Sequence, residues 1–127
     1  MTKTRILVVD DEASVTRGIR LNLEAVDYEV RTENRAEDAL AAARDFRPDL
    51  ILLDVMMPGM DGGDVAGQMR EDAALKDIPI VFLTALTSNR ETGGHEMISG
   101  PTLYLAKPVV LSELVKCIER HVRTPSP

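Results

Sequence analysis

Cysteine, histidine and aromatic residues are scarce in this chain of 127 residues. Cys117 stands alone, so no internal disulfide can form. Tryptophan is absent and aromatics amount to 3%, so a core must be assembled from Val, Ile, Leu, Ala and Met. No apolar run approaches the roughly 18 residues of a membrane span. The first residues, Met1-Thr2-Lys3-Thr4-Arg5, run straight into a strand-like segment, so a signal peptide is not expected. A basic excess is missing too: the formal net charge of −6 argues against direct nucleic-acid contact, which needs a basic face. The expectation is a soluble, reduced, cytoplasmic domain without a membrane partner. What is present is ordinary, with 44% hydrophobic and 28% charged residues, enough for one domain around one core. Residues 1–123 read as that domain and 124–127 as a tail or the start of a linker.

Five short apolar runs punctuate the chain: Ile6–Asp10, Tyr28–Thr32, Leu50–Asp54, Ile80–Thr84 and Leu103–Ala106. Three of them are continuously apolar, which suits strands buried on both faces of a parallel sheet. Helical patterns separate them. Val15, Ile19, Leu23 and Val26 make one stripe, and Ala36, Ala39, Leu40 and Ala43 a second with small residues. A third helix is expected from about Gly62 to Asp72, and Leu111, Leu114, Val115, Ile118 and Val122 face the last one inward. Thr87–Ser99 is weaker, because Gly93-Gly94 costs about 1 kcal/mol per glycine in a helix; a short, frayed or broken helix is expected there. Five β–α units predict an α/β fold of the flavodoxin-like (βα)5 kind, a doubly wound parallel five-stranded sheet in the order 2-1-3-4-5.

That topology brings polar residues together. Asp10 and Asp11 close the first strand, Asp54 the third and Thr84 the fourth, and Lys107 follows the fifth. Neighbouring strands lie about 4.8 Å apart, so the carboxylates of the first and third converge, and a lysine can span the roughly 10 Å from the fifth. Three carboxylates in one crevice repel one another, and a hard divalent cation relieves the repulsion. Mg²⁺ fits, since it takes oxygen ligands, keeps several waters and binds through a couple of carboxylates plus a phosphate. Mn²⁺ could stand in its place. With a cation bound, one carboxylate can attack phosphorus to give an aspartyl-phosphate, and Asp54, followed by a loop that Pro58-Gly59 forces open, is the best placed. Lys107 would help by neutralising charge.

These residues resemble the receiver domains of bacterial response regulators. The matching segments are Ile6-Leu7-Val8-Val9-Asp10-Asp11-Glu12, Asp54-Val55-Met56-Met57-Pro58-Gly59-Met60-Asp61-Gly62, Thr84-Ala85 and Tyr104-Leu105-Ala106-Lys107-Pro108, within a likeness from about Thr4 to Val122. The resemblance implies a two-component phosphorelay in which a histidine kinase or phosphotransfer protein donates phosphate to Asp54. It implies Asp11, Asp54 and the backbone carbonyl of Met56 as direct metal ligands, with Asp10 acting through a bound water. Thr84 would bind the phosphoryl oxygen, Tyr104 would rotate inward behind it, and Lys107 would pair with the phosphoryl group. The Lys107–Pro108 peptide would be cis. The surface of the fourth helix, fifth strand and fifth helix would signal to a downstream effector or an attached output domain. Apolar Met56 and Leu86 would flank the attacking water and slow dephosphorylation. Such a chain is a switch that assists its own phosphorylation rather than an enzyme, and homodimerisation on phosphorylation is left open.

Plainer readings exist for each residue. Asp10-Asp11 could cap a helix, Thr84 could simply suit a strand, and Tyr104 could pack; their combination favours the functional assignment. Asp61 and Asp64 read as turn and cap residues, His95 and His121 as solvated, Cys117 as buried packing, and Arg44, Arg47 and Arg70 as solvated faces. A haloacid dehalogenase phosphatase would need a second aspartate where Met56 stands. A flavin-binding flavodoxin would need phosphate-binding donors where Asp10-Asp11-Glu12 would repel the ligand. A receiver that no longer takes phosphate and serves as a docking module is the remaining alternative.

Overall fold

The computed structural model describes residues 3–59, 62–84, 96–99 and 102–122, with 96–99 and 102 described by their backbone alone. The element order is β1 (Arg5–Val9), α1 (Ala13–Ala25), β2 (Glu29–Glu33), a 3-10 turn (Ala36–Asp38), α2 (Ala39–Phe46), β3 (Leu50–Asp54), α3 (Gly62–Arg70), β4 (Ile80–Thr84), β5 (Glu96–Ser99), β6 (Thr102–Ala106) and α4 (Leu111–His121). The sheet runs β2-β1-β3-β4-β6-β5. Its first five strands are parallel, and the expected 2-1-3-4-5 order appears with β6 as the fifth parallel strand.

The continuous apolar runs are buried as parallel strands flanked by helices should be. Every residue of β3 is buried. Alternate residues then serve opposite layers. Leu7, Val9, Ile51 and Leu53 meet Ala39, Ala42 and Ala43 of α2 and Val65, Ala66 and Met69 of α3. Ile6, Val8, Leu50 and Leu52 meet Ile19 and Leu23 of α1 and Leu114, Cys117 and Ile118 of α4. Each fully buried leucine or isoleucine contributes about 2 kcal/mol before entropic costs. Cys117 is a buried free thiol. No described helix is long and apolar enough to cross a membrane.

Two expectations need correction. The Thr87–Ser99 stretch was to hold a short helix, but residues 96–99 form β5, paired antiparallel to β6 from Ser99↔Thr102 to Glu96↔Leu105; residues 87–95 lie outside the described ones. Only Gly100-Pro101 separates the last paired residues, the length of a two-residue hairpin loop, a spacing that favours a strand over a helical turn. Val26 leaves the apolar stripe of α1 and is 45% exposed, because the helix ends at Ala25, while Thr16 takes a buried place. Arg44 is solvated but not idle: its guanidinium meets Asp72 at 2.6 Å, tying α2 to the turn after α3.

Candidate metal and phosphoacceptor site

Register builds the site. Val9 pairs with Leu53, so the residues that follow them, Asp10 and Asp54, emerge side by side at the carboxyl edge. Thr84 pairs with Ala106 across β4 and β6, and the Lys107 N–H donates to the Thr84 carbonyl at 2.8 Å, delivering Lys107 to the same edge. Asp10 is fully buried and Asp54 is 5% exposed, whereas Asp11 faces solvent. One carboxylate oxygen from each of the three lies within 4.8 Å of the others. Lys107 Nζ stands 2.7 Å from Asp10 Oδ2 and 3.4 Å from Asp54 Oδ1.

The backbone holds these carboxylates from behind. Asp10 Oδ1 accepts from the Glu12 N–H at 2.9 Å, and Asp54 Oδ1 from the Met56 N–H at 3.3 Å. Burial pushes the Asp54 carboxyl up to about 6, the Asp10 charge adds to this, and Lys107 and the Met56 N–H pull the other way. Burial alone would lower the Lys107 ammonium, but the carboxylates of Asp10 and Asp54 outweigh it and raise its pKa. The contact with Asp10 is close without hydrogen-bond geometry, so the buried Oδ2 has no hydrogen-bond donor among the described residues.

That oxygen tests whether a cation suits the site. A buried carboxylate oxygen whose close neighbour is the Lys107 ammonium, beside two further carboxylates, is a set of hard oxygen ligands, and the described cluster contains no cysteine or histidine. Three carboxylates and one ammonium carry about two negative charges when ionised, which one divalent ion balances. The residues fit Mg²⁺ or Mn²⁺.

The other predicted residues are placed as follows. Thr84 is half-buried at the end of β4. Tyr104 is half-buried in the apolar layer with its ring centroid 5.6 Å from that of Phe82. The Lys107–Pro108 peptide is cis. Met56 is 79% exposed and lines an open depression with Val55, Met57, Pro58 and Gly63. Leu86, Asp61 and His95 lie outside the described residues, and His121 is half-buried with an interaction of its own. Sequence reasoning missed Asn34 and Thr16. The Asn34 side chain donates to the Asp10 carbonyl at 2.8 Å and to Thr16 Oγ1 at 3.0 Å. The available signal was position: Asn34 directly follows β2, at the same carboxyl edge as the acidic residues.

Known proteins agree with this geometry. Residues 6–119 match the family model for the response regulator receiver domain. The chain is 42% identical over 123 residues to the "probable transcriptional regulator ycf27" of Pyropia yezoensis, covering 95% of this chain and 48% of that protein. It is 39% identical over 122 residues to the DNA-binding response regulator MtrA of Mycobacterium tuberculosis, covering 95% and 51%. The chain thus spans about half the length of these curated relatives. The chemotaxis response regulator CheY4 of Vibrio cholerae superposes with a TM-score of 0.77 at 32% identity, over 94% of this chain and 98% of that one. With the acidic edge, the lysine and the parallel sheet in place, the chain belongs to the response regulator receiver domain family of two-component systems.

Proposed function

We propose that the chain is a cytoplasmic phosphoacceptor switch in which Asp54 takes a phosphoryl group from a histidine kinase or phosphotransfer protein. One observation carries this reading: Lys107 Nζ stands between Asp10 and Asp54, at 2.7 and 3.4 Å, while Asp11 completes a carboxylate triplet within 4.8 Å. An Asp54 oxygen attacks phosphorus, an O–P bond forms, and the N–P bond to the donor histidine breaks. Asp11, Asp54 and the Met56 carbonyl would hold Mg²⁺ or Mn²⁺, with Asp10 reaching it through water. When bound, the ion supplies charge neutralisation for the carboxylates and the transferred group. Lys107 pairs with the phosphoryl oxygens; at about 4 Å and an effective dielectric near 20 one such pair is worth roughly 4 kcal/mol.

Thr84 then binds a phosphoryl oxygen, Tyr104 turns from Phe82 toward it, and the surface around β6 and α4 carries the signal to an effector or attached output domain. Relatives named for DNA binding are about twice this length, which supports an attached DNA-binding domain. The net charge of −6 supports keeping this segment itself off nucleic acid. Exposed Met56, with Leu86, supports a phosphorylated state that outlives seconds.

Incubation with acetyl phosphate and Mg²⁺ should add about 80 Da, one phosphoryl group, in intact mass. The gain should vanish in Asp54→Ala and without a divalent ion. A wild-type chain that gains no mass would leave only the docking-module reading, and steady release of phosphate from an aryl phosphate would favour the phosphatase.

A further inference from the structure

The acidic turn after β1 is pinned through its backbone. The Asp10 N–H donates to the Glu33 carbonyl at 3.1 Å, and the Asp10 carbonyl accepts from Asn34 Nδ2 at 2.8 Å. Asn34 also donates to Thr16 Oγ1 at 3.0 Å, and that buried hydroxyl donates to the Ala13 carbonyl at 3.1 Å. On the other side of Asp11, the Glu12 N–H is held by Asp10 Oδ1. The peptide groups before and after Asp11 are therefore both tied down. Asp11 itself is exposed and shares the lining of one cavity of about 220 Å³ with Asn34. An exposed aspartate has little packing to orient it, so the backbone that leads to it decides where its carboxylate points.

We infer that Asn34 is a positioning residue for the cation site. By tying the Asp10 carbonyl to Thr16, it fixes the β1–α1 turn so that Asp11 is aimed at Asp10 and Asp54. The place calls for a side chain with two N–H donors on one nitrogen, because both partners present acceptors to it, and the short Asn34 amide supplies them. The inference rests on the metal-site reading above and adds a residue that touches no phosphoryl group and no cation.

Calorimetric titration of Mg²⁺ into the metal-free protein tests it, alongside melting in a chelator. Asn34→Ala should weaken Mg²⁺ binding about tenfold, the low end of outer-shell effects, and Thr16→Val, which removes only one of the two acceptors of Asn34, should weaken it less. Arg44→Ala, which breaks a remote ion pair with Asp72, serves as the control for a merely structural loss and should leave the affinity unchanged. At saturating Mg²⁺, Asn34→Ala should recover phosphoryl uptake to within about twofold of wild type, since its defect lies in binding. An Asn34→Ala affinity equal to wild type, or a loss matched by Arg44→Ala, overturns the inference alone. A wild-type chain that binds no divalent cation overturns the metal-site reading with it.

Discussion

Lys107 and Asp54 hold opposite ends of one electrostatic balance. Asp54 sits in a crevice that raises its carboxyl to about 6, and Lys107 is the cation that limits that rise. Removing Lys107 subtracts a positive charge from the place a divalent ion would occupy. Lys107→Ala should therefore bind Mg²⁺ roughly threefold to tenfold tighter in calorimetry, yet take up phosphoryl groups at least about tenfold more slowly at saturating Mg²⁺. Weaker Mg²⁺ binding in that variant would show the lysine to be a structural support instead. Asp54→Asn tests the other end. A folded-state pKa raised from 3.8 to about 6 means that stability present at low pH is lost as pH rises through 6. Metal-free Asp54→Asn should be more stable than wild type by about 1–3 kcal/mol at pH 8. That gap should open between about pH 4 and pH 6 and stay level above, as urea titrations would show.

At the scale of elements, α3 is tied to Asp54 by a glycine. A Cβ on Gly62 would collide with the Asp54 carbonyl oxygen and come 3.0 Å from Val55 Cα, and the Gly62 N–H donates to the Val55 carbonyl at 2.8 Å. Gly62→Ala must push α3 off the end of β3, at a cost of about 1–3 kcal/mol. Chemical denaturation should register that cost, and Mg²⁺ affinity should fall with it because Asp54 moves. The strands were the most legible elements, since Ile6–Val9, Leu50–Leu53 and Ile80–Leu83 are apolar at every position, as burial on both faces demands. Two of the site's four charged residues, Asp10 and Asp54, directly follow those runs, Asp11 comes one residue later, and the strand order assembles them. Two things escaped. The hairpin pairing of β5 with β6 is local, from Ser99↔Thr102 to Glu96↔Leu105, but the weak helical and strand propensities of Glu96–Ser99 do not select it. The Asn34 contacts join β2 to β1 and α1 across 24 and 18 residues, and no local pattern announces a hydrogen bond of that span.

For the whole molecule, folding and cation binding are one equilibrium, because the triplet of carboxylates exists only when β1 and β3 lie side by side. An ion that binds the folded chain alone stabilises it by about 2.7 kcal/mol at a hundredfold excess over its dissociation constant. Protons compete for the same oxygens. With Asp54 near 6 in the metal-free state, a fall to pH 5 leaves it mostly protonated and weakens the apparent Mg²⁺ affinity about elevenfold. The Mg²⁺ increment in stability should therefore drop from about 2.7 kcal/mol at pH 8 to about 1.4 kcal/mol at pH 5, at one fixed Mg²⁺ concentration. Denaturation curves with and without Mg²⁺ at the two pH values measure it. Asp54→Asn should show a smaller increment with no midpoint near pH 6, because its side chain carries no proton to displace. Equal wild-type increments at both pH values would mean that the ion is not held by Asp54, and the link between the cation and the proposed phosphoacceptor would be lost.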